Sequence, residues 1–550
     1  MDVNPTHCVP TVSVAGRAPR RSLLFVILPY LEKKKDATQG KTRSFLAFPY
    51  GVLSIATYLR RRAHAVPDLR IVDLNRYASD QYAQALDTAM AELRPDIVGI
   101  SMMFDQSYKH VAAIAGQAKS FSAAIRVILG GAAATTAYEE ILADQPDIDA
   151  LCYSEGEAAM LHVVNSPSLD DAFAGAPWVT RASLSRGVKP TSVYVSRLND
   201  VIAVDYDLID RKVYSMKEAF SPFASYRNET DVRQFFLVTS RGCPFKCVFC
   251  AEPSLHGKSM RYAEVDAIIE HVRFLVDRYG MNVLTIYDDQ LLMDMRRAKE
   301  LFRRLAEFKL RLETPNGVTV VFIDDEMACL MKQAGLDTLP LAIESGSDHV
   351  VRKVIRKPIR LERVGPVVKA LQQNDIFVQA YFVVGLPGER EEDREQTVRC
   401  IKEWGLDWSG FSMASPVRGS ELYRIATEKG YIPRNMKLGD IEGNQYILNA
   451  PEIGLEPAKI SRRAYLMNLD VNFVNNRRMK MGDYRVAASC FEEVIERYGH
   501  HAFGHYFLAQ AYRALNADAV LIDENMRTYR DLVRDDPEWR SYADEFGLPV

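Results

Sequence analysis

Arg241-Gly242-Cys243-Pro244-Phe245-Lys246-Cys247-Val248-Phe249-Cys250 directly follows the strand-like run Phe235-Phe236-Leu237-Val238-Thr239. Three residues separate the first two cysteines and two separate the second pair, so one short loop can turn three sulfurs toward one small object. Gly242 and Pro244 suit the tight backbone this needs. A cubane iron–sulfur cluster takes four thiolates. This loop offers three and no fourth cysteine lies nearby in sequence, so one iron would keep an open position where a substrate can bind. A structural zinc site would need a fourth ligand. His256 is the nearest candidate, and a lone histidine on a Gly-containing segment reads as a surface residue. Cys243, Cys247 and Cys250 are therefore read as the metal ligands, in a cluster site.

Working outward, 550 residues suffice for two to four domains with ample core. The formal net charge of −3 implies no polyanion, so no nucleic-acid partner is expected. The eight cysteines form no disulfide pattern, which fits a reducing cytoplasm. Cys8, Cys152, Cys329, Cys400 and Cys490 are isolated and read as plain thiols. No secretory leader and no membrane span is expected, because the apolar run Leu23–Leu31 is strand-sized and broken by Pro29.

Ahead of the cysteines, strand-like and helix-like segments alternate. Ser22–Leu28, Leu69–Asp73, Ile97–Met102, Arg126–Leu129 and Ala150–Tyr153 read as buried strands. Helices fall at Gly51–Arg62, Gln81–Leu93, Tyr108–Phe121 and near Glu139. The pattern predicts a doubly wound parallel sheet with ligands beyond the carboxyl ends of its strands. The rhythm restarts at the cysteine loop. Strands are expected at 235–239, Val283–Tyr287, Thr338–Ile343, Phe377–Val384 and Trp408–Met413, with helices at Ala263–Tyr279, Arg296–Lys309 and Asp324–Ala334. This suits a partial barrel of six βα units, whose active site lies at the C-terminal strand ends. From Pro457 onward small and aromatic residues recur at helical-hairpin spacing, like one or two tetratricopeptide-type (TPR-like) pairs. The chain is α/β throughout with a helical end. Its expected parts are a disordered tail (1–20), the first α/β domain with connector (21–200), the barrel (201–450) and the helical extension (451–550), read as a brace.

The cysteine spacing, with an aromatic residue before Cys250, resembles the signature of the radical S-adenosylmethionine (SAM) superfamily. Phe48-Pro49-Tyr50-Gly51-Val52-Leu53, Ile71–Asn75, Pro95–Ser101, Leu129-Gly130-Gly131 and Glu155-Gly156-Glu157 resemble the cobalamin-binding domain that precedes the barrel in one branch of that superfamily, the class B methyltransferase-like branch. The resemblance covers about residues 22 to 430. It implies a 4Fe–4S cluster, SAM bound to its open iron and cleaved to a deoxyadenosyl radical, and an external electron donor such as flavodoxin or ferredoxin. It also implies cobalamin, although the usual DxHxxG motif is absent, and His110 reads as a helix-surface residue.

By the same resemblance, Ser101, Gly130 and Gly131 would contact cobalamin, with Met102-Met103-Phe104 able to pack on the corrin. Asp288 or Asp289 would meet the SAM ammonium. Glu344 and Ser345 would meet the ribose or amino group, and Gly385 and Gly388 the adenine. The implied activity is cobalamin-dependent C-methylation of an unactivated carbon on a small-molecule or peptide substrate. A cobalamin-type radical enzyme performing cyclisation or rearrangement, and a non-enzymatic cluster or zinc module with a helical interaction surface, are the alternatives. No catalytic side chain beyond these is singled out.

Overall fold

The computed structural model describes residues 19–30, 46–214, 230–440 and 446–549. Cys8 and most of the expected N-terminal tail lie outside them. The first sheet contains β1 (Ser22–Ile27), β2 (Asp68–Asp73), β3 (Ile97–Ser101), β4 (Arg126–Gly130), β5 (Ala150–Cys152) and β6 (Trp178–Val179), in the order β2-β1-β3-β4-β5-β6. The first five run parallel. The two-residue β6, too short to show in the sequence pattern, closes one edge antiparallel to β5. Helices cover both faces. That is why Leu23, Leu24, Phe25 and Val26 are all buried and read as an unbroken apolar run. The order reverses between β1 and β3, which makes the crevice beyond their carboxyl ends the natural ligand position.

The second unit is an open barrel. Its strands are β7 (Gln234–Leu237), β10 (Val283–Ile286), β11 (Arg311–Glu313), β12 (Thr338–Glu344), β13 (Phe377–Val384) and β14 (Trp408–Met413). A small antiparallel pair, β8 (Ser240–Arg241) with β9 (Arg261–Tyr262), brackets the cysteine loop. The six barrel strands form two parallel groups, β11-β10-β7 and β12-β13-β14, joined by a single parallel bridge between Val318 and Leu341. β11 supplies the strand absent from the five that the apolar pattern predicts. It is three residues long with a charge at each end, so its local signal is weak.

Among the described residues β7 and β14 do not pair, and each free edge is met by a side chain. The Tyr206 hydroxyl donates to the carbonyl of Phe236 on β7 and accepts from the same residue's N–H at 3.1 Å. Asn472 does the same for β14. Its Oδ1 accepts from Ser409 N and its Nδ2 donates to Ser409 O, both at 2.8 Å. Both caps satisfy backbone groups that would otherwise recruit another strand.

Tyr206 belongs to the connector after the first sheet. Phe48 and Tyr50 from the first unit, with Val201, Ile202 and Tyr214 of the connector, share the barrel's core cluster. The helices Tyr484–Tyr498, Ala502–Ala514, Ala519–Asp535 and Pro537–Glu545 follow a helix, Pro457–Leu469, that lies against β14. Trp408 of β14 meets Phe473 edge-on at 5.6 Å, and Phe473 stacks on Phe491 at 5.5 Å. Asp407, its side chain wholly buried, accepts from Arg478 Nε at 2.7 Å, from Arg477, and from Val378 N at 2.8 Å. Among the described residues no helix is long and apolar enough to cross a membrane.

Truncating Asp407 strands the Arg477 guanidinium and the buried Val378 N–H, and leaves Arg478 with Asp483 alone, at the joint between barrel and helical extension. Asp407→Ala is expected to destabilise the iron-free chain by about 3 kcal/mol, read as a lower urea midpoint followed by circular dichroism.

Candidate active site

The cysteine loop is held at both ends. Cys243 N donates to Gly257 O at 3.1 Å, and β8 pairs with β9. Gly242 sits at φ +94°, where an added Cβ would fall on the Ser259 carbonyl, so only glycine fits. Val248 is pinned on both sides of its peptide. Its N–H donates to Ile355 O at 3.0 Å and its carbonyl accepts from Leu422 N at 2.7 Å. Cys243 is buried and Cys247 and Cys250 are half-buried. Burial pushes the Cys247 thiol up to about 11, against the pull of Lys357, and Cys250 up to about 12. Each of these two thiols is raised further by its fellow cysteines, so the three lie within electrostatic reach of one another. Among the described residues no three of the Cys, His, Asp and Glu side chains stand as a preformed metal site; three soft donors in one pinned loop, with no fourth in it, have the chemistry for a cubane that keeps one open corner.

Behind the loop lies a buried charge cluster. Arg241 Nη2 is 2.7 Å from Glu157, the first residue of the helix Glu157–Asn165, and Nη1 is 3.3 Å from Glu155 in the loop after β5. Glu155 also accepts from Arg261 at 2.6 Å and faces His256 Nδ1 at 2.8 Å, while Glu157 accepts from Ser54 at 2.7 Å. His256, the nearest candidate for a fourth zinc ligand, thus has Nδ1 committed to a carboxylate of the first unit. Burial opposes the charge on Glu155, but the His256 contact and the Arg241 and Arg261 charges outweigh it and hold the carboxyl well below the usual range.

The two aspartates after β10 have separate fates. Asp288 accepts from Thr239 N and Oγ1, both at 2.5 Å, and from Ser240 Oγ at 2.7 Å, so it ties β10 to the root of the cysteine loop. Asp289 is exposed, within electrostatic reach of Cys243, and hydrogen-bonds Glu252. Burial first, and the Asp289 charge second, push Glu252 up to about 9. Glu344 follows a register break in β12 and adopts φ +75°, a strained conformation for a residue with a side chain. Its Oε1 takes a 2.7 Å bond from Lys357 Nζ, which also donates to Ala342 O at 2.8 Å.

Ser345 and the two glycines look inward instead. Ser345 Oγ bonds Thr397 Oγ1 at 3.1 Å. Gly385 sits at φ +88° with the Tyr446 ring and Ile460 occupying the space a Cβ would need, and Tyr446 Oη donates to its carbonyl at 2.6 Å. Gly388, at φ +98°, has Val354 3.3 Å from its Cβ position. Contacts within the chain require glycine at 385, and the left-handed backbone favours it at 388.

Sequence reasoning missed Glu313. It pairs in register with Thr285, which accepts from Gln234 Nε2 at 2.8 Å, and its charge reaches Tyr381 on the opposite group of strands. It therefore faces the barrel lumen. It is 8 % exposed, and burial followed by the Asp337 charge pushes its carboxyl up to about 8. An isolated Glu beside Arg311 reads as a surface residue; only the strand turns it inward.

The first sheet's carboxyl edge faces this same region. Ser154 Oγ donates to Leu255 O beyond the cysteine loop, Arg418 Nη1 lies 2.9 Å from Glu140, and a Cβ on Gly419 would lie 2.5 Å from Thr136. Ser101, half-buried, ends β3 and pairs in register with Gly130. Gly131 has φ +109° and would place a Cβ 2.5 Å from Met102 O, so glycine lets the two strand ends close on each other. Next to them Met103 and Phe104 are 44 % and 40 % exposed, and Tyr30, following β1, packs on Phe104 at 5.0 Å. An open apolar shelf at the switch point, bordered by small residues, fits a corrin face. His110 is elsewhere, edge-on to Tyr82 at 5.7 Å.

Comparisons match both units of the chain. Residues 237–401 match the model of the radical SAM superfamily, and residues 40–164 that of the B12 binding domain. The chain is 28% identical over 467 residues to the cytidylyl-2-hydroxyethylphosphonate methyltransferase of Streptomyces wedmorensis, covering 78% of this chain and 87% of that protein. It is 24% identical over 390 residues to the anaerobic magnesium-protoporphyrin IX monomethyl ester cyclase of Rubrivivax gelatinosus, covering 69% and 66%. In fold it is similar to the radical S-adenosylmethionine methyltransferase TsrM of Kitasatospora setae. The TM-score is 0.61 at 17% identity, over 80% of this chain and 83% of that one. The cobalamin-dependent S-adenosylmethionine radical enzyme OxsB gives a TM-score of 0.60 at 12% identity, over 94% and 80%.

Arg241→Met leaves Glu157 buried without its cation and is expected to destabilise the chain by about 3 kcal/mol, with less iron retained after anaerobic reconstitution. Glu313 gives a pH signature. Its folded pKa lies above the unfolded value of about 4.3, so the folded chain keeps a proton that the unfolded chain releases. Stability therefore falls as pH rises from about 4.3 to about 8, by up to roughly 1.4 kcal/mol per pH unit. Glu313→Gln is expected to remove that slope, measured as the difference in urea midpoint from wild type at pH 5 and pH 8.

Proposed function

We propose, taking as premise that this chain is an enzyme of the cobalamin-binding branch of the radical SAM superfamily, that it methylates an unactivated carbon. The observation that supports this most is the packing of the two units. The apolar shelf of Met103 and Phe104 and the cysteine loop belong to strand ends that face one another, fastened by the Arg241 and Arg418 ion pairs. Chemistry begun at the loop and a group carried on the shelf can then meet above one lumen. The methyltransferase relative that aligns over most of its length agrees with this.

When bound, the cluster supplies an electron to SAM and the corrin a carrier for the methyl group. The chain supplies ligation, position and exclusion of water. Cys243, Cys247 and Cys250 hold the cluster. Asp289, exposed beside Glu252, accepts from the SAM ammonium, with Asp288 fixing its place. Glu344, strained and braced by Lys357, has Oε2 left for the ribose hydroxyls or the ammonium. Ser345, Gly385 and Gly388 shape the loops beneath the adenine. Ser101, Gly130 and Gly131 border the cobalamin tail. Glu313, in the lumen, bonds a polar group of the substrate.

The aligned cyclase favours a second reading, ring closure without methyl transfer. The absence of a membrane-length helix among the described residues is compatible with a cytoplasmic enzyme.

Anaerobic reconstitution with iron, sulfide and hydroxocobalamin is expected to give about four irons per chain, a corrin absorption band and release of deoxyadenosine from SAM. The Cys243→Ala/Cys247→Ala/Cys250→Ala variant should release none. Candidate substrates then separate the readings by mass spectrometry: a product heavier by one methylene unit supports methylation, and one without added carbon supports cyclisation.

A further inference from the structure

The polar groups around Glu313 are matched to one another, and its own carboxyl is not. On β10, Thr285 accepts from Gln234 Nε2 at 2.8 Å. On β11, Arg311 shares a face with Glu313 by strand alternation and lies 2.8 Å from Asp337, which precedes β12 and also holds Lys332 at 2.8 Å. Lys357 is taken by Glu344 and the Ala342 carbonyl. Only burial and the charges of Asp337 and Arg311 act on the Glu313 carboxyl, and no hydrogen bond reaches it among the described residues. Across the lumen stands Tyr381 of β13, within reach of the Glu313 charge. Its ring fits between two glycines. A Cβ added at Gly410 would lie 3.1 Å from Cδ1, and one at Gly317 3.5 Å from Cδ2. Its hydroxyl donates to Pro315 O at 3.3 Å. Both edges and the tip are occupied, so what this half-buried ring has left to offer is a face.

We propose that Glu313 and Tyr381 select a substrate carrying a basic nitrogen, whose ammonium group pairs with the Glu313 carboxylate against the face of the Tyr381 ring. The inference deepens the reading of the lumen as the seat of a substrate and rests on it. A buried carboxyl with no donor in its own chain calls for a ligand that brings one. An aromatic face beside it favours a cation, because the negative face of the ring adds to the attraction of the carboxylate. An anionic substrate group would find the Arg311 and Lys357 charges already matched. A wholly apolar group would leave the carboxyl unpaired. Burial keeps a proton on the empty carboxyl up to about pH 8. The arriving ammonium therefore displaces that proton to solvent, and one positive charge replaces another in the lumen. A neutral amide would instead bond the protonated carboxyl and displace nothing.

The test uses the full iron-free chain with three probes of similar size, benzylamine, benzamide and benzoate, titrated by isothermal calorimetry at pH 6 and pH 8. Wild type is expected to bind benzylamine at least tenfold more tightly than the other two. It should bind benzylamine more tightly at pH 8 than at pH 6 by roughly tenfold or more, and release about one proton per amine at pH 6. Glu313→Gln is expected to lose at least tenfold in benzylamine affinity, together with the pH dependence and the proton release, while its benzamide binding stays at the wild-type level. Tyr381→Leu is expected to weaken benzylamine binding and keep the proton release. Wild type that binds benzylamine no more tightly than benzamide overturns the proposal, whatever the variants do. So does Glu313→Gln that binds benzylamine as wild type does, since the amine then sits at another acid such as Asp289 or Glu344. These readouts need neither iron nor cobalamin. Reconstituted wild type that releases no deoxyadenosine from SAM overturns instead the enzyme reading beneath the proposal.

Discussion

The burial of one guanidinium between two carboxylates from another unit governs how this molecule is put together. Arg241 precedes the cysteine loop by two residues, and Glu155 and Glu157 follow the last parallel strand of the first sheet. Removing any of these charges from water costs several kcal/mol. The cost is recovered only when all are brought together with Arg261, His256 and Ser54. Neither unit can satisfy its own share, so the interface is specified by charge as well as by shape. The same contact sets the distance between the sheet's carboxyl edge and the cysteine loop, which a reaction using both would need.

An open barrel carries a second constraint. Six strands that do not close leave two unpaired edges, and an exposed edge is a hazard. The chain blunts both with single side chains, Tyr206 from before the barrel and Asn472 from after it. The helical extension thereby acts on the barrel directly. It caps the last strand, fastens to Asp407 through two arginines and packs Phe473 on Trp408. A lumen left open at its seam can take a larger substrate than a closed one. The caps keep that opening from becoming an adhesive edge.

Much of the site was legible because its chemistry is local. Three cysteines within one loop, glycine beside the first, and an acidic pair at a strand end are adjacent in the chain, so spacing alone finds them. Other features depend on partners far away. Nothing adjacent in sequence separates Asp288 from Asp289, yet one is buried with its bonds taken by Thr239 and Ser240 and the other is exposed beside Glu252. Gly385 has a structural reason, the Tyr446 ring, sixty-one positions away. Glu313 escaped notice because its strand is three residues long and reads as charged surface.

The sequence by itself determined the alternation of strands and helices, the three-cysteine loop and the two unlike halves, since apolar periodicity and loop spacing act over a few residues. The tertiary structure alone decided which carboxylates are bound and which are open, how the barrel's edges are closed, and that the two halves face each other. Those outcomes depend on burial and on hydrogen-bond partners drawn from distant segments, and a charge's surroundings do not exist until the chain has folded around it.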